Sequence, residues 1–367
     1  MGQSVQEDVS VASVFPLGPY HPALPEPIWY QLRLRGETIA SGDITAGYCH
    51  RGVEALLARR SIDEGLKLAE HLCGSAAHHH RLALCLALER LAGVQPPPRA
   101  SVLRSLFCEV ERLLSHLSWA AQVARAVERP RAFYAAIEAH ERIVEGMEAA
   151  TGQRLLWGLP IPGGVSSVPD CAPLAEALQQ VIQPLEQIER QLVQDRGMQR
   201  RTRGLAVITE EQARQLHLTG PVARASGSDE DARRQKSYDA YADLALADLA
   251  SSAAGDTHTR IATRITEMRA SIKLTGQLIE QLPDGPLAQL FPATLPSGEA
   301  SASVEGPQGC ETWQVCSDGS DHLASVSIIT ASQRNLAAVP LTLEGQRLSD
   351  ALLILASLDL CIACVDK

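Results

Sequence analysis

Between about Ser61 and Leu282 the apolar residues of this chain recur three and four positions apart, and that spacing restricts the fold more than any other feature. Its clearest stretch follows Pro96-Pro97-Pro98. There Leu103, Leu106, Phe107, Val110, Leu113, Leu114 and Leu117 form one stripe of an amphipathic helix of the bundle type. The same pattern predicts helices over 131–151, 174–194, 231–253 and 257–282, with Gly255-Asp256 as a stop and new start between the last two. Aromatic residues are only 4% of the chain while alanine and leucine run through it, which favours packed helices over a sandwich or barrel.

Both ends differ from this middle. Residues 1–15 read as a disordered N-terminus. Residues 16–60 read as a small α+β segment, with a hairpin built from 29–34, a turn at Gly36-Glu37 and a return over 38–40. The helical core spans 61–283, interrupted by a loop at 165–173 and a basic, exposed connection at 196–203. Residues 284–367 form a C-terminal α+β segment with short alternating stretches at 312–315 and 324–329, a closing helix over 348–358 and a tail from Asp359.

Several function classes are disfavoured at once. Lys and Arg number 33 against 43 Asp and Glu, a net charge of −10 that argues against a nucleic-acid partner. No uncharged apolar run reaches the ~18–20 residues of a spanning helix. The opening MGQSVQEDVS lacks the basic start and apolar centre of a signal peptide, so the expected location is cytoplasmic. A Walker loop, a G-x-G-x-x-G and a G-x-S-x-G elbow are all missing from the sequence, so nucleotide or NAD binding by this chain itself has no support.

Nine cysteines in a long chain expected to be cytoplasmic point to metal or redox chemistry rather than disulfides. Cys361-Ile362-Ala363-Cys364 places two thiols within reach of one metal ion or of each other, although two buried cysteines after an apolar helix can also be plain packing. Cys73 precedes Gly74, which can break a helix and present the thiol. His78, His79 and His80 follow, about 100° apart on a helix, so all three cannot serve one ion. Spacing alone makes them a partly exposed polar patch, and His80 the one nearby candidate for a fourth ligand beside three cysteines. Cysteines 49, 85, 108, 171, 310 and 316 lack ligand spacing and read as structural. Glu109, Arg112 and His116 share a stripe of the helix after Pro98, and spacing alone makes that stripe a solvated face.

A family resemblance sharpens this reading. Gly18-Pro19-Tyr20-His21-Pro22-Ala23-Leu24-Pro25-Glu26-Pro27 resembles the opening of the large subunit of membrane-bound, group 4 NiFe-hydrogenases and of its relative, the D subunit of respiratory complex I. The match continues in order through Gly47–Glu54 (GYCHRGVE), Pro97–Ala100, Glu109–Leu117 (EVERLLSHL), Thr151–Arg154, Pro162–Val165, Gly220–Gly227 (GPVARASG), Gly255-Asp256 and the terminal C-x-x-C. It implies a mainly α fold, a helical-bundle core with small α+β segments at the N- and C-terminal ends.

In family hydrogenases two C-x-x-C pairs hold a nickel–iron centre, the second cysteine of each pair bridging the metals. By that match Cys73, Cys361 and Cys364 are the metal ligands here, and Ala76 stands where the other bridging thiolate belongs. The ligand set is thus incomplete and the nickel–iron cofactor uncertain. An arginine that overhangs the family's metal site is replaced by Gln308 within Gly306-Pro307-Gln308-Gly309. Glu26 matches a proton-relaying glutamate, and His21 a histidine of the quinone pocket. The partners implied are an iron–sulfur small subunit and membrane-arm subunits, with this chain peripheral to the inner face of the cell membrane. The function implied is electron transfer between a partner iron–sulfur cluster and protons, quinone or another small acceptor. A subunit that has lost catalysis and serves only to couple its neighbours is the alternative.

Overall fold

The computed structural model describes residues 13–244, 246 and 253–367. The apolar stripe after Pro98 lies on a helix of 29 residues, Pro98–Ala126. Proline suits its first turn because the N–H it lacks would find no partner there. Pro130–Thr151, Ala172–Glu189 and Thr257–Glu280 are the other long helices of this core. Leu103, Phe107, Leu117, Ile143, Leu178 and Ile265 meet in one buried cluster. Asp256 caps the last of these helices, its side chain accepting from Thr259 N.

The N-terminal hairpin is present as Trp29–Arg35 paired antiparallel with Thr38–Thr45. A further strand, Ser13–Leu17, pairs on the other edge of Trp29–Arg35. Ser13 to Phe15 therefore belong to a sheet rather than to a disordered end, and the remainder of that expected segment, 1–12, lies outside the described residues. Tyr30, Leu32 and Leu34 alternate inward against Val339, Leu343 and Ile354. The C-terminal sheet orders Gly298–Gly306, Gly309–Ser317 and Ser325–Ile329 as an antiparallel meander. Its inner face, with Val304, Trp313 and Ile328, covers the helix Ala77–Ala92. Gly309 at its first turn has φ +133°, and a Cβ there would lie 2.7 Å from Gly220 N, so two glycines meet where other residues would collide.

Two expected elements differ. Residues 196–203 are not a plain connection: Arg196–Thr202 is a short helix capped by Asp195, with Met198 and Thr202 buried while its arginines stay exposed. The continuous helix expected over 231–253 is broken into Ala232–Gln235 and a 3-10 turn at Asp239–Asp243, and 245 and 247–252 lie outside the described residues. The helix has already ended at Gln235, and Asp239 takes a positive φ of 47° between the inward-turned Tyr238 and Tyr241. The Tyr241 hydroxyl then donates to Glu109 Oε1 at 2.6 Å.

The stripe of Glu109, Arg112 and His116 is not solvated. All three are fully buried, because other elements cover the long helix on this side too. Glu109 accepts from Arg233 at 3.0 Å and Ser271 Oγ at 2.6 Å, while Arg112 donates to Glu305 O and Gly306 O. His116 Nε2 lies 2.9 Å from Glu267 Oε2. Burial alone would raise the Glu109 pKa, but Arg112 and Arg233 outweigh it and bring it from 4.5 down to about 2. A carboxyl lowered on folding stabilises above its unfolded value and loses that contribution as pH falls through its folded value. The stability of the purified chain should therefore fall once pH drops below about 4.5 and go on falling as it passes through about 2, with Glu109→Gln flattening that limb. An unchanged acid limb in the variant would contradict the assignment.

Candidate functional site

Three thiols from two distant stretches of chain meet at one point. Cys73 sits in the break between the helices Ile62–Glu70 and Ala77–Ala92, where Gly74 interrupts the helical run as its sequence suggests. Cys361 and Cys364 follow the closing helix Ala351–Leu358, which ends at Asp359 in the left-handed region (φ 56°). The Sγ atoms of Cys73, Cys361 and Cys364 all lie within 4.8 Å of one another. Ala76 packs among them, fully buried.

Cations hold this tail in place. Arg264 donates to Ser357 O and Leu358 O, buried carbonyls of the helix end, and stacks 4.8 Å over Trp119. Arg51 donates to Leu72 O at 2.6 Å and Ala363 O at 3.1 Å, so one guanidinium fixes both thiol-bearing segments. The Asp366 carboxylate accepts from Gly47 N and Cys49 N at 2.7 and 2.8 Å.

The three histidines are buried and separated as the helical repeat requires. The expected polar patch is absent because each ring has its own polar surroundings inside the protein. His78 Nε2 faces Arg104 O at 3.0 Å, and His79 Nδ1 faces Glu111 Oε2 at 2.6 Å. The same Glu111 accepts from His78 N and His79 N at the helix start. His80 Nε2 alone turns to the thiols, 3.3 Å from both Cys73 Sγ and Cys364 Sγ, while its Nδ1 lies 2.7 Å from Glu311 Oε2.

Charge follows this geometry. Hydrogen bonds from Cys361 and Cys364 and the nearby His80 ring hold Cys73 well below the ordinary thiol range despite its burial. Cys364 is pushed well above that range by its bonds to Cys361 and Cys73 and by burial, and Cys361 likewise, since its bond to Cys73 and its burial outweigh the lowering from Cys364. Burial would lower the His80 pKa, but Glu311 and Cys73 raise it far above its usual value.

Glu26 lies on the loop between Leu17 and Trp29. Its Oε2 accepts from Ile362 N and from Ala363 N, and Cys361 Sγ approaches Oε1 at 4.0 Å. Burial raises its pKa, opposed by those two backbone donors. Beside it opens a cavity of about 240 Å³ lined by Leu24, Glu26, Tyr30, Arg125, Leu355 and Asp359 among others. His21, on the same loop, accepts from Ala23 N at Nδ1 and is not among the residues lining that cavity. Gln308 is buried and donates to Asp359 Oδ2 at 3.2 Å and Ser115 Oγ at 3.3 Å, bracing the turn before the thiol tail.

A nickel–iron centre held by four thiolates does not fit these residues. Three sulfurs are present, and the position of the second bridge holds the buried methyl of Ala76, which donates nothing to a metal. Sequence reasoning brought out all three thiols and Glu26. It missed Glu311, which carries no local signal on its strand, and the pinning role of Arg51, visible only as a letter in the GYCHRGVE match.

A family model described as the respiratory-chain NADH dehydrogenase 49 Kd subunit matches residues 131–293 and 291–367. The chain is 33% identical to the carbon monoxide-induced hydrogenase of Rhodospirillum rubrum, over 96% of this chain and 98% of that protein. It is 30% identical to a D subunit of the NADH-quinone oxidoreductase of Thermodesulfovibrio yellowstonii over the full length of both. Among solved structures it resembles a chain of the membrane-bound sulfane sulfur reductase, an archaeal respiratory membrane complex, with a TM-score of 0.91 and 25% identity. That match covers 97% of this chain and 98% of the other.

Proposed function

The chain belongs to the respiratory-chain NADH dehydrogenase 49 Kd subunit family of oxidoreductase subunits, and from that premise we propose that it is the large, redox-site subunit of a membrane-associated complex. In this reading it passes electrons between an iron–sulfur cluster of a small partner subunit and a small acceptor: protons, quinone or another molecule. The observation that carries the reading is the junction of Glu26 with the thiol tail at the wall of a cavity.

The cavity offers the acceptor a mixed seat, apolar at Leu24, Ile28 and Leu355 and charged at Arg125, Glu128 and Asp359. Glu26 holds the proton that reduction of the acceptor consumes, and its bonds to Ile362 N and Ala363 N keep the carboxyl aimed at that wall. His21 is the second proposed proton-handling group, on the loop that carries Glu26. Proton reduction to H2 is the least favoured version, since Ala76 and Gln308 stand where hydrogenase machinery is expected. NAD has no place at this chain in the proposed route. Nickel and iron are not part of it either.

Among the described residues no helix is long and apolar enough to cross a membrane. Attachment is therefore proposed to run through membrane-arm subunits, with this chain at the inner face of the membrane. The test is cluster reoxidation in the intact complex purified from its native host. Pre-reduced iron–sulfur clusters should reoxidise rapidly when a quinone analogue or another small acceptor is added, as read by their optical or paramagnetic signals. Clusters that stay reduced with protons, quinones and sulfur compounds alike would leave only the coupling-subunit alternative.

A further inference from the structure

The donors that fall short of a binuclear centre number the four that a mononuclear one needs, with His80 Nε2 beside Cys73 and Cys364 but outside the 4.8 Å group of the three sulfurs. We propose that Cys73, Cys361, Cys364 and His80 bind a single zinc ion in a closed, four-ligand site with Glu311 supporting the imidazole. This goes beyond the electron-transfer reading and stands or falls separately from it.

Geometry carries the assignment. The three Sγ atoms lie within 4.8 Å of one another, and His80 Nε2 is 3.3 Å from two of them. With metal–sulfur bonds of about 2.3 Å and metal–nitrogen bonds of about 2.0–2.1 Å, the edges of a tetrahedral site run to about 3.5–3.8 Å. Two edges are thus near their final length, and an ion entering the group would draw the sulfurs together. Three sulfurs and one imidazole are a common donor set for structural zinc.

The surrounding residues fit the same ion. His80 Nδ1 lies 2.7 Å from Glu311 Oε2, and neither atom has another hydrogen-bond partner among the described residues, so a ring bound to metal through Nε2 would have this carboxylate to support it. Glu311 itself is buried on the strand Gly309–Ser317, whose pairing with Gly298–Gly306 fixes its position. The buried methyl of Ala76 fills the place of a fourth sulfur, so one of the two protein bridges of a binuclear centre is missing. Zinc has no redox states of use here, and four protein ligands leave no open position for substrate. Its role would be to clamp the thiol tail to the break before the His-rich helix and so to fix the wall that Glu26 shares with the cavity. Electrons would then reach the acceptor without passing through this metal.

The experiment is metal analysis of the intact complex, purified from its native host in metal-free buffer. One zinc and no nickel for each copy of this chain is the expected result. Glu311→Gln should weaken zinc about 10–100-fold in chelator competition, and His80→Ala should lose stoichiometric zinc. Since His80→Ala can also impair folding, cobalt(II) exchanged into the unaltered complex gives a second reading: the intense visible bands of tetrahedral cobalt with thiolate charge transfer. Nickel in place of zinc, zinc well below one per chain that a mild chelator strips from folded protein, octahedral cobalt spectra, or unchanged zinc affinity in a folded His80→Ala complex would each overturn the proposal. None of these outcomes alters the cluster reoxidation test, so the two readings fail independently.

Discussion

Arg224→Ala is expected to remove about 3–5 kcal/mol of stability, the loss found when one partner of a buried ion pair is deleted. Arg224 is 2% exposed and answers three carboxylates. Its guanidinium donates to Glu267 Oε1 at 2.7 and 2.9 Å and to Glu305 Oε1 at 2.8 Å, and lies 3.3 Å from Asp231 Oδ2. Without it Asp231 keeps Arg233 and Glu267 keeps His116, but Glu305 is left with the Ala232 N–H as a direct partner. Domains are typically stable by only about 5–15 kcal/mol, so the variant stands to lose a third or more of the total. Arg224→Lys should fall between, keeping the charge but not the fork that reaches several acceptors. Denaturant unfolding of the purified chains measures this directly. A shift below about 1 kcal/mol for the alanine variant would mean that water or relaxation satisfies the three carboxylates.

The same network shows where the sequence could be read and where it could not. The stripe from Leu103 to Leu117 was legible because burial on one helical face leaves a period of 3.6 in the apolar residues. Glu109, Arg112 and His116 lie on another face of that helix and look solvated by spacing, because their partners come from residues 233, 271 and 267, far away in sequence. Residues 231–253 carried a helical pattern, yet inward docking of Tyr238 and Tyr241 overrode the local preference. The thiol group shows the same limit. Cys361 and Cys364 could be paired from their spacing, and the break at Gly74 marked Cys73, but the resemblance was needed to join the two. The helical repeat showed that three adjacent histidines must diverge without showing which one faces the sulfurs. That choice is made by Glu111 and Arg104 O, which engage His79 and His78, and by Glu311 beside His80.

Glu26→Gln is expected to lower acceptor turnover of the intact complex about 10²–10⁴-fold, the range for loss of a positioned proton-transfer group. The substitution separates two roles of this side chain. A glutamine oxygen can still accept from Ile362 N and Ala363 N, so the thiol tail should stay anchored and the complex should assemble with an unchanged metal and cluster content. A carboxamide, however, carries no exchangeable acid proton to hand across the cavity wall. Glu26→Asp keeps the acid but shortens its reach, and should recover part of the rate while weakening the two backbone bonds. Turnover measured with a quinone analogue, beside cluster reoxidation in a single turnover, distinguishes a slow proton step from a misassembled site. In the first case the clusters remain reducible and drain slowly. If Glu26→Gln turns over at the unaltered rate, Glu26 serves only as an anchor for the C-x-x-C backbone and the proton must reach the acceptor from another side of the cavity.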